Sequence, residues 1–403
     1  MVSIYKIPNK AVLSIIMAAF VYLLPSIAHA ESSNIAMSWA ARFSNELIDE
    51  YPEPWLMRKS DGKYRWSYTH GLVLKGIESL SSKQSDDRYY AYVKAYADKF
   101  IDEDGVINTF TPWEYNIDSI NAGKMLFGLY ERTGDKRYKT AMESLRAQLD
   151  WHPRTTEGGF WHKLKYPWQL WLDGTYMAGP FYAQYEMQFN VDKAKLDDIV
   201  NWYRLAERHT RDAKTGLLYH GWDESKVQPW ANKATGRSAH YWSRAMGWFA
   251  MALVDTIEIF PDDHPGREEM VAMLRRLFDA LIPYQDETGL WYQVTDMGSR
   301  KGNYLEASGT SMFVYSIAKA VRLGFVPKNY FPVAERAYQG LLNELVSVNR
   351  NGRAELRNIC RSAGLGGEPY RDGSYEYYLS EDIVVNDAHG LGSFILASVE
   401  MGH

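Results

Sequence analysis

Only one cysteine, Cys360, occurs in 403 residues, so no intrachain disulfide can form and the fold must be held by its core. A buried, inert thiol is the expected state of Cys360. An excess of one charge is lacking too. Lys and Arg number 45 against 50 Asp and Glu, and the formal net charge of −5 offers no broad basic surface for nucleic acid. After residue 30 no apolar run reaches the roughly 20 residues of a membrane span, and no Pro/Ser/Gly-rich linker or low-complexity stretch divides the chain. HExxH, CxxC, Walker and G-x-G-x-x-G patterns are absent, as is a serine elbow, so nothing supports a metal, a nucleotide cofactor or a serine nucleophile.

What is present begins with a leader. Residues 1–30 place Lys6 and Lys10 ahead of an apolar run from Ala11 to Leu24, then Ala28-His29-Ala30 as a small-x-small cleavage site. The expectation is an exported protein, periplasmic or secreted, that starts near Glu31 and forms one catalytic domain over 31–403 without a membrane span. A monomer is expected. Hydrophobic types make up 46% of the residues, enough for one large core, and the 14% aromatic content exceeds what a core asks for, so many rings should line a surface.

Six segments have glycine or other small residues on one face: 66–80, 118–134, 172–186, 243–257, 308–324 and 387–401. Between them lie six patterns with one apolar stripe and one charged face, at 37–51, 88–100, 137–149, 195–209, 268–284 and 330–346. Helices apolar all round are buried and helices with one wet face sit outside, so the alternation predicts an inner ring within an outer ring, an all-α (α/α)6 barrel. In such a ring every inner helix starts at the same end. Tyr68, Asp118, Trp171, Asp173, Trp242, Arg244, Ser308, Asp387 and His389 should therefore share one mouth.

Asp118 and Asp173 open consecutive inner helices, so one is expected to raise the other's pKa and keep a carboxylic acid protonated for general acid catalysis. Each could instead cap its helix. Trp171, Trp222, Trp230, Trp242 and Trp248 suit stacking on pyranose faces, or core packing. Arg244 could grip a carboxylate with its fork of donors, or form a buried ion pair. His162 and Lys163 lie in a loop that feeds the third inner helix.

The stretches HKLKYPWQLWLDGTYMAGPF (162–181), NIDSINAG (116–123), GLLYHGWDE (216–224) and YWSRAMGWF (241–249) resemble glycoside hydrolase family 105, the unsaturated rhamnogalacturonyl and glucuronyl hydrolases related to family 88. The likeness continues through 304–324 and 364–397 and so spans nearly the whole mature chain. It implies an enzyme that hydrates the C4=C5 double bond of a 4,5-unsaturated uronic acid at the non-reducing end of lyase-generated oligosaccharides. By motif matching, the resemblance makes Asp173 the acid and then the base, with Asp118 and His220 at the same site. Tyr68, His162, Lys163, Tyr166, Trp242, Arg244, Gly247 and Trp248 fall on substrate-binding stretches, and Trp171 joins them from the rim. Ala245-Met246 stands where family members often carry Gly-Asn, which puts the leaving sugar in doubt. An inverting glycosidase on the same barrel, a polysaccharide lyase using Tyr68, His220 and Arg244, and a glycan-binding protein remain alternatives.

Overall fold

The computed structural model describes residues 32–57, 63–84, 86–190 and 192–403, so the leader lies outside the described residues. The helices are α1 (32–50), α2 (Tyr68–Ser81), α3 (Asp87–Phe100), α4 (Met125–Thr133), α5 (Lys136–Trp151), α6 (Leu172–Tyr185) and α7 (Lys193–Thr210). They continue with α8 (Ser243–Ile259), α9 (Pro265–Leu281), α10 (Ala307–Arg322), α11 (Phe331–Gly340), α12 (Tyr375–Ser380) and α13 (Ala388–Met401). Six short strands form three two-stranded ribbons: β1 (Gln169–Trp171) with β2 (Gly221–Asp223), β3 (Val346–Val348) with β4 (Ala354–Leu356), and β5 (Ile359–Cys360) with β6 (Ile383–Val384).

In the ring, α2 packs on the segment 117–133, which packs on α6, then α8, α10 and α13, and α13 returns to α2. Outside it, α3, α5, α7, α9 and α11 each back an inner helix. Helix α1 lies on α13 through Phe43 and Phe394, whose rings meet edge to face at 5.2 Å. This is the (α/α)6 barrel that the alternation predicts. One inner helix departs from the pattern, because the second begins with eight residues of tighter 3₁₀ winding, Ile117–Lys124, before α4.

Two inner helices are buried almost end to end: every residue of α6 from Leu172 to Ala183 is buried, as is α13 from His389 to Met401. Small residues let neighbouring inner helices close on each other. A Cβ at Gly71 would lie 2.7 Å from the Ala122 Cα, one at Gly392 2.9 Å from the Val73 amide, and one at Gly309 2.7 Å from the Ser243 hydroxyl. Outer helices start on aspartate caps, Asp86, Asp135 and Asp192, each accepting from the backbone N–H two residues on. Among the described residues no helix is long and apolar enough to cross a membrane. Cys360 is buried, which pushes its thiol up to about 11 and leaves it unreactive.

At the end of the barrel away from the inner N-termini, charged pairs tie inner helices together around a 630 Å³ cavity. Asp255 of α8 accepts from Lys319 Nζ and Tyr315 OH of α10, both at 2.7 Å. Lys319 also reaches Glu258 at 2.8 Å, and Arg322 holds Glu400 of α13 at 2.7 and 2.9 Å. Burial works to raise the Asp255 pKa, but Lys319 and Tyr315 hold it below the usual carboxylate range. Asp255→Asn should therefore cost about 3–5 kcal/mol in urea unfolding, because it strips a buried lysine of its closest partner. In the parent protein this contribution is full above the unfolded carboxylate pKa of about 3.9 and is lost only as pH falls through the lower folded value. A variant with unchanged stability would show that Glu258 alone suffices for Lys319.

Candidate active site

The mouth is assembled by backbone pairing. Strand β1 runs antiparallel to β2 with Trp171 opposite Gly221, and the Leu172 amide donates to the His220 carbonyl at 3.1 Å. A Cβ at Gly221 would lie 2.9 Å from the Trp171 ring, so this approach requires glycine. On the other side of the loop, the His162 carbonyl accepts from the Ile117 amide at 3.3 Å and the Leu164 amide donates to Tyr115 at 3.2 Å. These bonds bring His162 and Lys163 to Asp118, and Asp173 to His220.

Neither aspartate is a helix cap. Asn116 caps the 3₁₀ segment by accepting from the Asp118 amide, while Trp171 and Trp242 precede α6 and α8 without side-chain caps. Asp173 sits in the first turn of α6, nearly buried. His220 Nε2 lies 3.1 Å from its Oδ2. The other ring nitrogen of this fully buried histidine, Nδ1, is 2.8 Å from the Tyr378 hydroxyl. Burial holds the Tyr378 phenol protonated, well above its ordinary pKa. The Tyr378 contact at Nδ1 leaves Nε2 as the ring nitrogen that faces Asp173.

Asp118 is paired differently from the expectation of two bare carboxylates. Lys163 Nζ lies 2.5 Å from Asp118 Oδ2, and although burial works to raise the pKa, the lysine holds it below the usual carboxylate range. Its charge is compensated locally, so the expected leverage on the Asp173 proton is reduced. His162 stands between the two: its Nε2 is 3.5 Å from Asp118 Oδ1, and a Cβ at Gly174 would lie 3.1 Å from its Nδ1. Burial lowers the His162 pKa to about 4, so the ring is neutral at ordinary pH. It stacks on Trp171 at 4.4 Å and 16°, and Trp171 stacks on Tyr166 at 4.9 Å and 21°. This three-ring wall continues into His220, which meets Trp171 edge-on at 5.5 Å.

Arg244 is buried beside Trp242, its guanidinium carbon 4.8 Å from the indole centroid. Its Nη1 donates to Ser308 at 3.1 Å, and Ser308 donates to Glu306 at 2.7 Å. The opposite edge, Nε and Nη2, makes no hydrogen bond within the protein, leaving two parallel donors suited to a carboxylate. Tyr68 lines a 280 Å³ opening with Asp118 and Lys163, and its hydroxyl is 2.9 Å from His389 Nε2. Asp387 holds the far nitrogen of that ring at 2.7 Å.

Gly247 and Trp248 do not join this group. A Cβ at Gly247 would lie 2.8 Å from the Met312 Cβ, which makes Gly247 a contact between α8 and α10. Trp248 is buried and stacked on Tyr176 at 5.1 Å, one helical turn further in than Arg244. Trp222 stacks on His209 at 3.7 Å, away from Asp173. Ala245 and Met246 are fully buried, and Met246 Sδ accepts from the Leu218 amide at 3.4 Å, so the Ala-Met departure falls in packing.

Tyr378, the partner of His220 from 158 residues away, carries no signal in the sequence. Gln293 went unnoticed for the same reason. Its Oε1 accepts from Trp242 Nε1 at 3.0 Å and its Nε2 donates to the Tyr378 carbonyl at 3.2 Å, joining the two sides of the site. Among the described residues, no three His, Cys, Asp or Glu side chains converge as a metal-ion site. What the mouth can do is transfer a proton from an aspartate backed by a buried imidazole, within aromatic walls and beside a two-donor arginine edge.

Comparison with known proteins agrees with this arrangement. A glycoside hydrolase of family 105 from C. acetobutylicum ATCC 824 is 46% identical, with a TM-score of 0.85 over 89% of this chain and 98% of that one. Protein Atu3128 of Agrobacterium fabrum is 40% identical over 230 residues, which is 56% of this chain and 97% of that protein. The unsaturated rhamnogalacturonyl hydrolase YesR of Bacillus subtilis is 24% identical over 341 residues, covering 83% of this chain and 91% of that enzyme. Residues 39–403 match glycosyl hydrolase family 88 throughout, and the chain belongs to that family.

Proposed function

We propose that this protein removes a 4,5-unsaturated uronic acid from the non-reducing end of lyase-generated oligosaccharides by hydrating its double bond. The observation that carries this reading is the nearly buried Asp173 carboxyl, whose Oδ2 lies 3.1 Å from His220 Nε2. An enol ether is protonated at carbon by such a carboxylic acid. Asp173 gives its proton to C4, and the positive charge that develops at C5 is shared with the ring oxygen. Water then adds at C5 and returns a proton to Asp173. The C5 hemiketal opens to a ketone, leaving C1 as a hemiacetal that expels the next sugar.

The other residues serve this sequence. The Nε/Nη2 edge of Arg244 holds the uronate carboxylate and fixes C5. Through Nε2, His220 steadies the Asp173 carboxylate between its two roles. Lys163 with Asp118 binds ring hydroxyls, and the wall of His162, Trp171 and Tyr166 shapes the sugar's seat. YesR, named for rhamnogalacturonan fragments, supports the rhamnogalacturonyl form of the substrate over the glucuronyl form. The leader supports export and the unbroken ring supports one domain over 31–403, acting as a monomer.

Mixing the protein with unsaturated oligosaccharides from pectin, ulvan or glycosaminoglycan lyase digests should lower the ultraviolet absorbance of the conjugated double bond. Asp173→Asn should reduce kcat by about 10²–10⁴ while leaving substrate affinity within about threefold. A rise in absorbance on intact polymer would mean a lyase and sink the proposal. Tyr378→Phe removes the hydroxyl that meets His220 Nδ1, so kcat should fall about tenfold with KM nearly constant and the pH–rate profile displaced. An unaltered pH profile would reduce Tyr378 to packing.

A further inference from the structure

A second, larger cleft adjoins the aromatic wall. It has a volume of 950 Å³ and lies between the 165–169 segment and the 362–381 loop. Ligand pockets run from about 300 to 1,000 Å³, so this one has room for more than a single sugar ring. It meets the aromatic wall of the mouth at Tyr166 and Gln169. Tyr166 lines the cleft and stacks on Trp171, and Gln169 lines it while accepting from the Trp171 indole N–H at 3.1 Å.

Its outer wall is built to keep its shape. Arg371 donates from Nη2 to the Tyr166 hydroxyl at 2.8 Å and to the Leu365 carbonyl at 3.1 Å, and from Nε to the Gly366 carbonyl at 2.7 Å. Gly366 and Gly367 hold φ of +62° and +85°, and a Cβ at Gly364 would lie 2.2 Å from the Arg371 guanidinium. The loop thus curls tightly around one arginine, which clips it to the catalytic wall.

The lining has the chemistry of a carbohydrate seat. Tyr370 is 42% exposed while its hydroxyl accepts from the Trp230 amide at 3.1 Å, so the ring is anchored at one end and open on the other. Gln228, Tyr377 and Ser362 add polar groups. Charges balance, with Lys165 and Arg371 against Glu368 and Glu381, and three of the Arg371 bonds are already spent on the protein. An exposed aromatic face beside hydrogen-bonding groups, in a lining whose charges cancel, favours a neutral pyranose over a uronate or a sulfate ester.

We infer that this cleft binds the sugar units beyond the one next to the cleaved bond, taking neutral, hydroxyl-rich residues. The protein is therefore adapted to unsaturated trisaccharides and longer chains, with disaccharides as its poorer substrates. The inference rests on the proposed hydration reaction for its direction, since the unsaturated end occupies Asp173 and the chain must leave along the wall.

The test compares an unsaturated disaccharide with the tetrasaccharide from the same lyase digest, using the full chain. The tetrasaccharide should show kcat/KM about tenfold higher, mostly through KM. Tyr370→Ala and Gln228→Ala should each remove most of that advantage, the scale of one stacked ring, while disaccharide turnover changes by less than about twofold. Equal kcat/KM for both lengths in the parent protein would overturn the inference. So would an advantage that survives both substitutions. A second measurement separates this from the reaction itself: calorimetric titration of Asp173→Asn with saturated tetrasaccharides of each polymer. Binding that is lost on adding Tyr370→Ala, without turnover of any digest, would keep the cleft and discard the hydration reading. Absence of binding together with length-independent turnover would do the reverse.

Discussion

The antiparallel contact between residues 169–171 and 221–223 is the constraint on which the site depends. An inner helix of this barrel can start at several heights and rotations, and nothing in α6 itself fixes where Asp173 points. The bond from the Leu172 amide to the His220 carbonyl settles the matter, because it registers the first turn of α6 against the chain that carries the imidazole. Once that register is set, Trp171 must lie over Gly221, and its ring becomes the middle layer of the stack with His162 and Tyr166. Three aromatic side chains and a carboxylate thus take their places from one pair of three-residue strands.

Charge is sorted along the barrel axis. At the base, carboxylates and lysines meet as paired neighbours, where Asp255, Lys319, Glu258, Arg322 and Glu400 knit α8, α10 and α13 together. At the mouth polar groups are left partly unmatched: one edge of Arg244 and one nitrogen of His162. Burying such groups without partners costs stability, and a polar ligand at the mouth would relieve that cost. The ring tolerates this because its closure rests on apolar and small-residue contacts deeper in.

Much of this was legible in the sequence, for a physical reason. Inner helices must be small or apolar on every side and outer helices on one side only, so the alternation of two patterns reported two concentric layers. The start of each inner helix then had to lie at one mouth, which placed Asp118, Asp173, Arg244 and Tyr68 together. What the sequence withheld were partners set by ring closure. Tyr378 lies in a tyrosine-rich stretch with no periodic signal, and only the folded chain brings it to His220. A motif does not report depth: Gly247 and Trp248 lie one turn past Arg244, about 5 Å further along the helix, where they pack against Met312 and Tyr176. The pairing of Asp118 is invisible in the chain order, because Lys163 sits 45 residues away in sequence and directly opposite in space.

The neutral imidazole in the aromatic stack has a further consequence. His162 gains no charge until the medium becomes strongly acidic, since burial holds it to about pH 4. A protonated ring at that position would repel the neighbouring Lys163, pull on Asp118 and alter the electron density that Trp171 offers to a sugar face. Because it stays uncharged, the seat keeps one electrostatic character from mildly acidic to alkaline surroundings.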